Sequence, residues 1–139
     1  MKHTIMLGEL IYEQRGKISG YRVLDTEGPT VETTISGTGI IKGVDVTDIV
    51  TYWSRPSESD RNVFYAEGQG IILSKEGEMA SWKGYGIGHY NNRSRADRGS
   101  VIFSSKSEGK LSFINNTIGV FEYEADENGN TVGKIWEWK

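Results

Sequence analysis

The stretch Asn62–Tyr90, NVFYAEGQGIILSKEGEMASWKGYGIGHY, decides the fold. Its glycines alternate, at Gly68 and Gly70 and again at Gly84, Gly86 and Gly88, among residues that favour extended chain. Residues i and i+2 of a strand share one face, so one side of each segment is nearly bare of side chains. Dinucleotide-binding glycines are spaced differently and open a helix, which Gly84-Tyr85-Gly86-Ile87-Gly88 does not do. Bare faces relieve the crowding of strongly coiled antiparallel strands, as in a small closed barrel. Lys75-Glu76-Gly77-Glu78 joins the two halves as a hairpin.

Similar segments extend in both directions. Gly37 and Gly39 repeat the alternation between Thr30–Ser36 and Gly39–Val46, which read as two strands or as one long strand bent at the glycines. Thr4–Gln14 and Lys17–Leu24 read as strands joined by a turn at Arg15-Gly16, and Asp25–Pro29 as a loop. Asp48–Ser54 is rich in β-branched and aromatic residues, whereas Arg55–Arg61 and Asn91–Arg98 are polar loops. Gly99–Ser105, Lys110–Tyr123 and Thr131–Trp138 complete the set, and Asn128-Gly129 predicts a type I′ turn. Turn signals recurring at roughly 8 to 14 residues predict a sandwich or barrel. The expected fold is all-β: a closed antiparallel barrel of about eight strands, in an up-and-down meander with little or no helix.

The 139 residues fit one domain with a core of its own. Lys and Arg number 16 against 19 Asp and Glu, a net charge of -3 that gives no long-range attraction for nucleic acid or anionic membrane. With no cysteine, there is neither disulfide framework, thiolate metal site nor cysteine nucleophile. Met1–Glu9 lacks the apolar core of a signal peptide, no run reaches membrane-helix length, and cytoplasmic residence is the expectation. The sequons Asn92-Arg93-Ser94 and Asn115-Asn116-Thr117 read as chance matches without a secretory signal. His3 and His89 are too few for a three-histidine centre, so neither a metal nor a cofactor is expected.

Parity divides the central hairpin into two faces. One carries Phe64, Ala66, Gly68, Gly70 and Ile72 with Ala80, Trp82, Gly84, Gly86, Gly88 and Tyr90. The other carries Tyr65, Glu67, Gln69, Ile71 and Leu73 with Met79, Ser81, Lys83, Tyr85, Ile87 and His89. Turned inward, the second face would line a small-molecule cavity with Tyr65, Glu67, Gln69, Tyr85 and His89. Burial would then raise the pKa of Glu67, making Glu67 or His89 a candidate acid or base. Turned outward, the same residues are a solvated sheet surface. Asn115, beside Asn116 in an apolar stretch, reads either as a bulge or turn or as a ligand-binding amide at the barrel mouth. Arg93, Arg95 and Arg98, with Asp97 among them, read as a solvated basic loop.

Glu67-Gly68-Gln69-Gly70, the Gly84–Gly88 alternation and the closing Phe121-Glu122-Tyr123-Glu124 and Trp136-Glu137-Trp138 resemble small prokaryotic barrel proteins related to the allene oxide cyclase and dirigent group. The resemblance spans residues 35–138 and implies an eight-stranded, often oligomeric barrel with an apolar central cavity. It also implies chemistry guided by pocket shape without a metal, and it assigns no catalytic residue. Three functions compete. The first is a barrel that binds a small, largely apolar ligand; the second is a cofactor-independent cyclase or isomerase. The third is a ligand-free homo-oligomer joined through Tyr52, Trp53, Trp136 and Trp138.

Overall fold

The computed structural model describes residues 8–139, so His3 and the start of the first expected strand lie outside the described residues. Eight strands follow in order: β1 (Leu10–Asp25), β2 (Thr30–Ile41), β3 (Val44–Pro56), β4 (Phe64–Ser74), β5 (Met79–Asn91), β6 (Ser94–Ser105), β7 (Ile118–Ala125) and β8 (Asn130–Glu137). Each pairs antiparallel with its sequence neighbour, and β8 returns to β1 to close the barrel. This is the up-and-down meander that the alternation predicts. Among the described residues the one helical element is a 3-10 turn at Ser112–Ile114, and no helix is long and apolar enough to cross a membrane.

Several local expectations are corrected. Arg15-Gly16 is not a turn: β1 runs unbroken through it. A Cβ on Gly16 would come within 2.8 Å of the Gln14 amide and 2.9 Å of Ile35, so this glycine makes room in the interior. The first sharp reversal after β2 is Lys42-Gly43, with φ of 45° and 81°, and not a bend at Gly37 and Gly39. At the last hairpin only Gly129 has positive φ, Asn128 does not, and Asp126 accepts hydrogen bonds from the Asn128 and Asn130 amides; the turn is therefore not type I′. Asn91–Arg98 is not a loop either, because all but the Asn92-Arg93 tip belongs to β5 and β6.

The bare face of the hairpin is the barrel interior. Cross-strand pairs place Gly70 opposite Trp82, Gly84 opposite Val101 and Gly88 opposite Asp97. A Cβ on Gly70 would lie 2.5 Å from the Trp82 Nε1, and one on Gly86 would lie 2.8 Å from the Phe121 ring. Gly70 and Gly86 thus vacate space that a large inward side chain of another strand fills.

One end of the barrel is sealed. Ile41, Ile72, Phe103, Leu111 and Ile114 are all fully buried there in one apolar cluster. Leu111 and Ile114 come from the β6–β7 connection, which had been expected to be strand from Lys110 onward. Their spacing of three residues matches a 3-10 turn, and a strand would put them on opposite faces. Glu78, in the β4–β5 turn, clasps this plug by accepting hydrogen bonds from the Ser107 hydroxyl and from the Lys110 and Leu111 amides. The Ser107 bond, followed by the Leu111 amide, holds the Glu78 carboxyl below its ordinary pKa. The clasp is therefore present above the usual carboxylate range and is lost as pH falls through the folded pKa.

Leu111→Ala should cost about 2–5 kcal/mol in denaturant unfolding, as a large-to-small change in a closed core does. Glu78→Ala should raise hydrogen exchange at the Lys110 and Leu111 amides while leaving the β1–β2 ladder protected. Gly70→Ala should cost about 1–3 kcal/mol, because the Trp82 indole must move.

Candidate ligand cavity

Two polar groups enter the interior from strands whose remaining inward residues are apolar or small. On β3 the inward series is Val46, Asp48, Val50, Tyr52 and Ser54. Asp48 lies opposite Gly37 on β2 and Ile72 on β4 and is only 2% exposed. Tyr12 Oη donates to its Oδ2 at 2.6 Å, and Gln14 Nε2 donates to its Oδ1 at 3.1 Å. Gly37 permits that reach, since a Cβ there would come within 2.5 Å of Gln14 Nε2 and 3.0 Å of Asp48 Oδ1. Burial pushes the Asp48 pKa up, and the two donors only partly offset it. Burial, with the Asp48 charge added, carries the Tyr12 pKa far above its ordinary value, so Tyr12 remains a donor.

On β6 the inward series is Arg95, Asp97, Gly99, Val101 and Phe103. Arg95 and Asp97 form a buried bidentate pair, Nε to Oδ1 at 2.7 Å and Nη2 to Oδ2 at 2.9 Å. Nη1 donates to the Ser54 hydroxyl at 2.9 Å. The rings of Tyr52, Phe64 and Tyr90 lie 5.3–5.5 Å from the guanidinium carbon. Burial opposes the guanidinium charge, but Asp97 outweighs it and holds Arg95 protonated. The expected solvated basic loop is corrected accordingly: two of its residues are core.

A cavity of about 100 Å³ is bordered by Asp48 and by Asp97 of the ion pair. Its wall is predominantly apolar, formed by Trp82, Tyr52, Tyr123, Phe121, Val50 and Val101, with Asp48 on one side. Tyr52 and Tyr123 meet edge to face at 5.6 Å. The Trp82 Nε1 is buried and has no hydrogen-bond partner. Among the described residues, no basic side chain comes within 4 Å of Asp48 to form an ion pair, although Arg22, Lys42, Arg95 and Lys139 pair with carboxylates elsewhere. No cluster of three or more His, Cys, Asp or Glu suited to a metal occurs among them. A wider hollow of about 580 Å³, framed by exposed Glu13, Arg15, Ile40, Asp45, Lys75 and Lys134, carries both signs of charge and selects no ligand chemistry.

Of the two orientations open for the second face of the hairpin, the structure has the outward one. Tyr65 and Tyr85 are 47% and 64% exposed, Gln69 and His89 are exposed, and Glu67 is half-buried beside Tyr85. This face points to water because its long side chains do not fit a narrow interior, whereas the glycine face does. Asn115 is also exposed, and its Oδ1 accepts from the Ser105 amide, so it shapes a turn. Tyr52, expected at an oligomer contact, lines the cavity instead, while Trp138 is exposed. Asp48 and Arg95 had a signal that went unread: each is a charged residue at the parity of Val46 and Val50, or of Val101 and Phe103.

No protein-family model and no curated protein matches the sequence. Solved structures do share the fold. A conserved protein of unknown function from Rhodopseudomonas palustris matches with a TM-score of 0.72 at 10% identity, covering 93% of this chain and 94% of that one. A protein with unknown function from Clostridium acetobutylicum matches with a TM-score of 0.78 at 12% identity, covering 94% and 98%. At these identities the likeness establishes the barrel alone.

Burial raises the pKa of Asp48. The folded state binds its proton more tightly than the unfolded chain, so this group detracts from stability above its folded pKa, and the loss disappears as pH falls toward the unfolded value. Across urea titrations from pH 7 to pH 4, wild type should gain stability relative to Asp48→Asn. A constant difference would mean that Asp48 titrates normally.

Proposed function

We propose that the barrel binds a small, largely apolar molecule in its interior, in the cavity beneath Trp82, Tyr52 and Tyr123. The carrying observation is an apolar cavity bordered by a carboxylate and by Trp82, whose buried indole N–H has no partner. Ligand sites have this composition: apolar walls supply the affinity and a few polar groups fix the orientation. The cavity, about 100 Å³, is smaller than an engineered cavity of about 150 Å³ that accommodates benzene, so it takes at most a single-ring molecule, with its wall side chains giving way to fit it. The resemblance to the allene oxide cyclase and dirigent group supports the same placement, since it implies an apolar central cavity.

A second reading, acid or base chemistry on the bound molecule, draws support from Asp48. A buried carboxylate of raised pKa is suited to proton transfer at moderate pH. This reading moves the acid–base role from the outer-face candidates Glu67 and His89 to an inner one.

Titration with toluene, followed by nitrogen–proton correlation spectra, tests interior binding. The Trp82 indole N–H resonance should shift, with the Ile71 and Leu73 amides, which lie away from the cavity, unmoved. Ala66→Leu, which fills the wall, should abolish the shift while leaving the spectrum folded. Shifts confined to the outer face would overturn the proposal.

A further inference from the structure

We propose that the molecule held in the cavity is a small organic cation, an ammonium group on an apolar or aromatic body, with its nitrogen paired to the Asp48 carboxylate. The assignment rests on interior binding and specifies the ligand's chemistry. It follows from the distribution of charge. Inside the barrel Arg95 balances Asp97, and Asp48 has no cation opposite it among the described residues. Buried charges are ordinarily paired, because an isolated carboxylate loses its hydration without compensation.

Asp48 also has acceptor capacity to spare. A carboxylate offers about four lone-pair positions, and one donor reaches each oxygen here, from Tyr12 and Gln14. Neither donor is charged. An ammonium group presents up to three N–H donors and could occupy what remains.

The walls favour the same class. Trp82, Tyr52, Tyr123 and Phe121 line the cavity, and aromatic rings attract cations through their negative faces. An anionic ligand would find no free cation on the inner wall, since Nε, Nη1 and Nη2 of Arg95 already donate to Asp97 and Ser54 and Lys134 lies on the outer side. The titratable groups facing the cavity are Tyr12 from β1, Asp48 and Tyr52 from β3, Asp97 with Arg95 behind it from β6, and Tyr123 from β7. The inward residues of β2, β4, β5 and β8 at the cavity are Ile35, Ala66 and Gly68, Trp82 with Gly84 and Gly86, and Gly133 with Ile135, none of which titrates. Exposed Tyr85, Glu122 and Lys134 border it from the outer side. Tyr12, Tyr52 and Tyr123 are all shifted upward by burial. Acid sensitivity between pH 8 and pH 4 thus points to a carboxylate.

The test compares benzylamine with its neutral counterparts benzyl alcohol and toluene, by calorimetry and by the Trp82 indole resonance. At pH 7 the amine should bind at least tenfold more tightly than the alcohol, and the advantage should vanish as acid protonates Asp48. Asp48→Asn should bind amine and alcohol alike. If that variant does not fold, the wild-type pH profile decides, and Tyr12→Phe, which frees one carboxylate oxygen, should retain the preference for the amine. Equal affinity for amine and alcohol at the indole in wild type would overturn the cation assignment and leave interior binding standing. If none of the three probes moves the Trp82 resonance, interior binding itself fails and the assignment falls with it.

Discussion

The space inside an eight-stranded barrel is the constraint on which the rest depends. A sheet that closes on itself at this strand number leaves room for a limited set of inward side chains. This chain meets the limit by alternation: Gly70 yields to Trp82, Gly86 to Phe121, Gly39 to the Tyr12 ring and Gly37 to the Gln14 amide. Register is thereby fixed, because a slip of one residue would exchange glycines for the Tyr65, Glu67 and Gln69 face. The same economy leaves a small void, since the glycines make more room at mid-barrel than Trp82, Phe121 and Tyr123 fill.

Polar groups are distributed along the axis in a graded way. One end is apolar and sealed by Leu111 and Ile114, held in turn by the Glu78 clasp. The other contains Arg95, Asp97 and Ser54 in an arrangement whose charges cancel. Asp48 lies between, with hydrogen bonds from Tyr12 and Gln14 and no opposite charge. A stability argument alone would favour an apolar residue at this position, as buried ions are costly even when paired. A carboxylate here, at the edge of a cavity, is the group that the proposed ligand would pair with.

The barrel was legible because strand periodicity and glycine parity are local signals. Parity isolated the two faces of β4 and β5 correctly, but the side facing inward was not legible from residue chemistry. Tyr65, Glu67, Tyr85 and His89 have the composition of a site, yet their bulk excludes them from the interior. The deciding quantity was volume, and a narrow barrel takes its small residues inside. Asp48 went unremarked among strand-forming neighbours, although its parity with Val46, Val50 and Tyr52 marks it as inward. Arg95 and Asp97 were obscured by Arg93 and Arg98, which are exposed; net charge along a segment does not reveal that alternate residues of a strand go to opposite faces. The β6–β7 plug was missed because Leu111 and Ile114 follow a three-residue period within a segment otherwise rich in strand formers.

The solved barrels from Rhodopseudomonas palustris and Clostridium acetobutylicum share this topology at 10% and 12% identity, so function must be read from the interior side chains of each chain rather than from the fold. The most direct measurement is a crystal structure of the protein purified from its native cells, with electron density examined inside the barrel and over the outer face. The account predicts density for a compact molecule between Trp82 and Tyr123, with an atom within hydrogen-bond distance of an Asp48 carboxylate oxygen. A bound molecule on the Tyr65–Tyr85 face above an interior closed by its own side chains would contradict it.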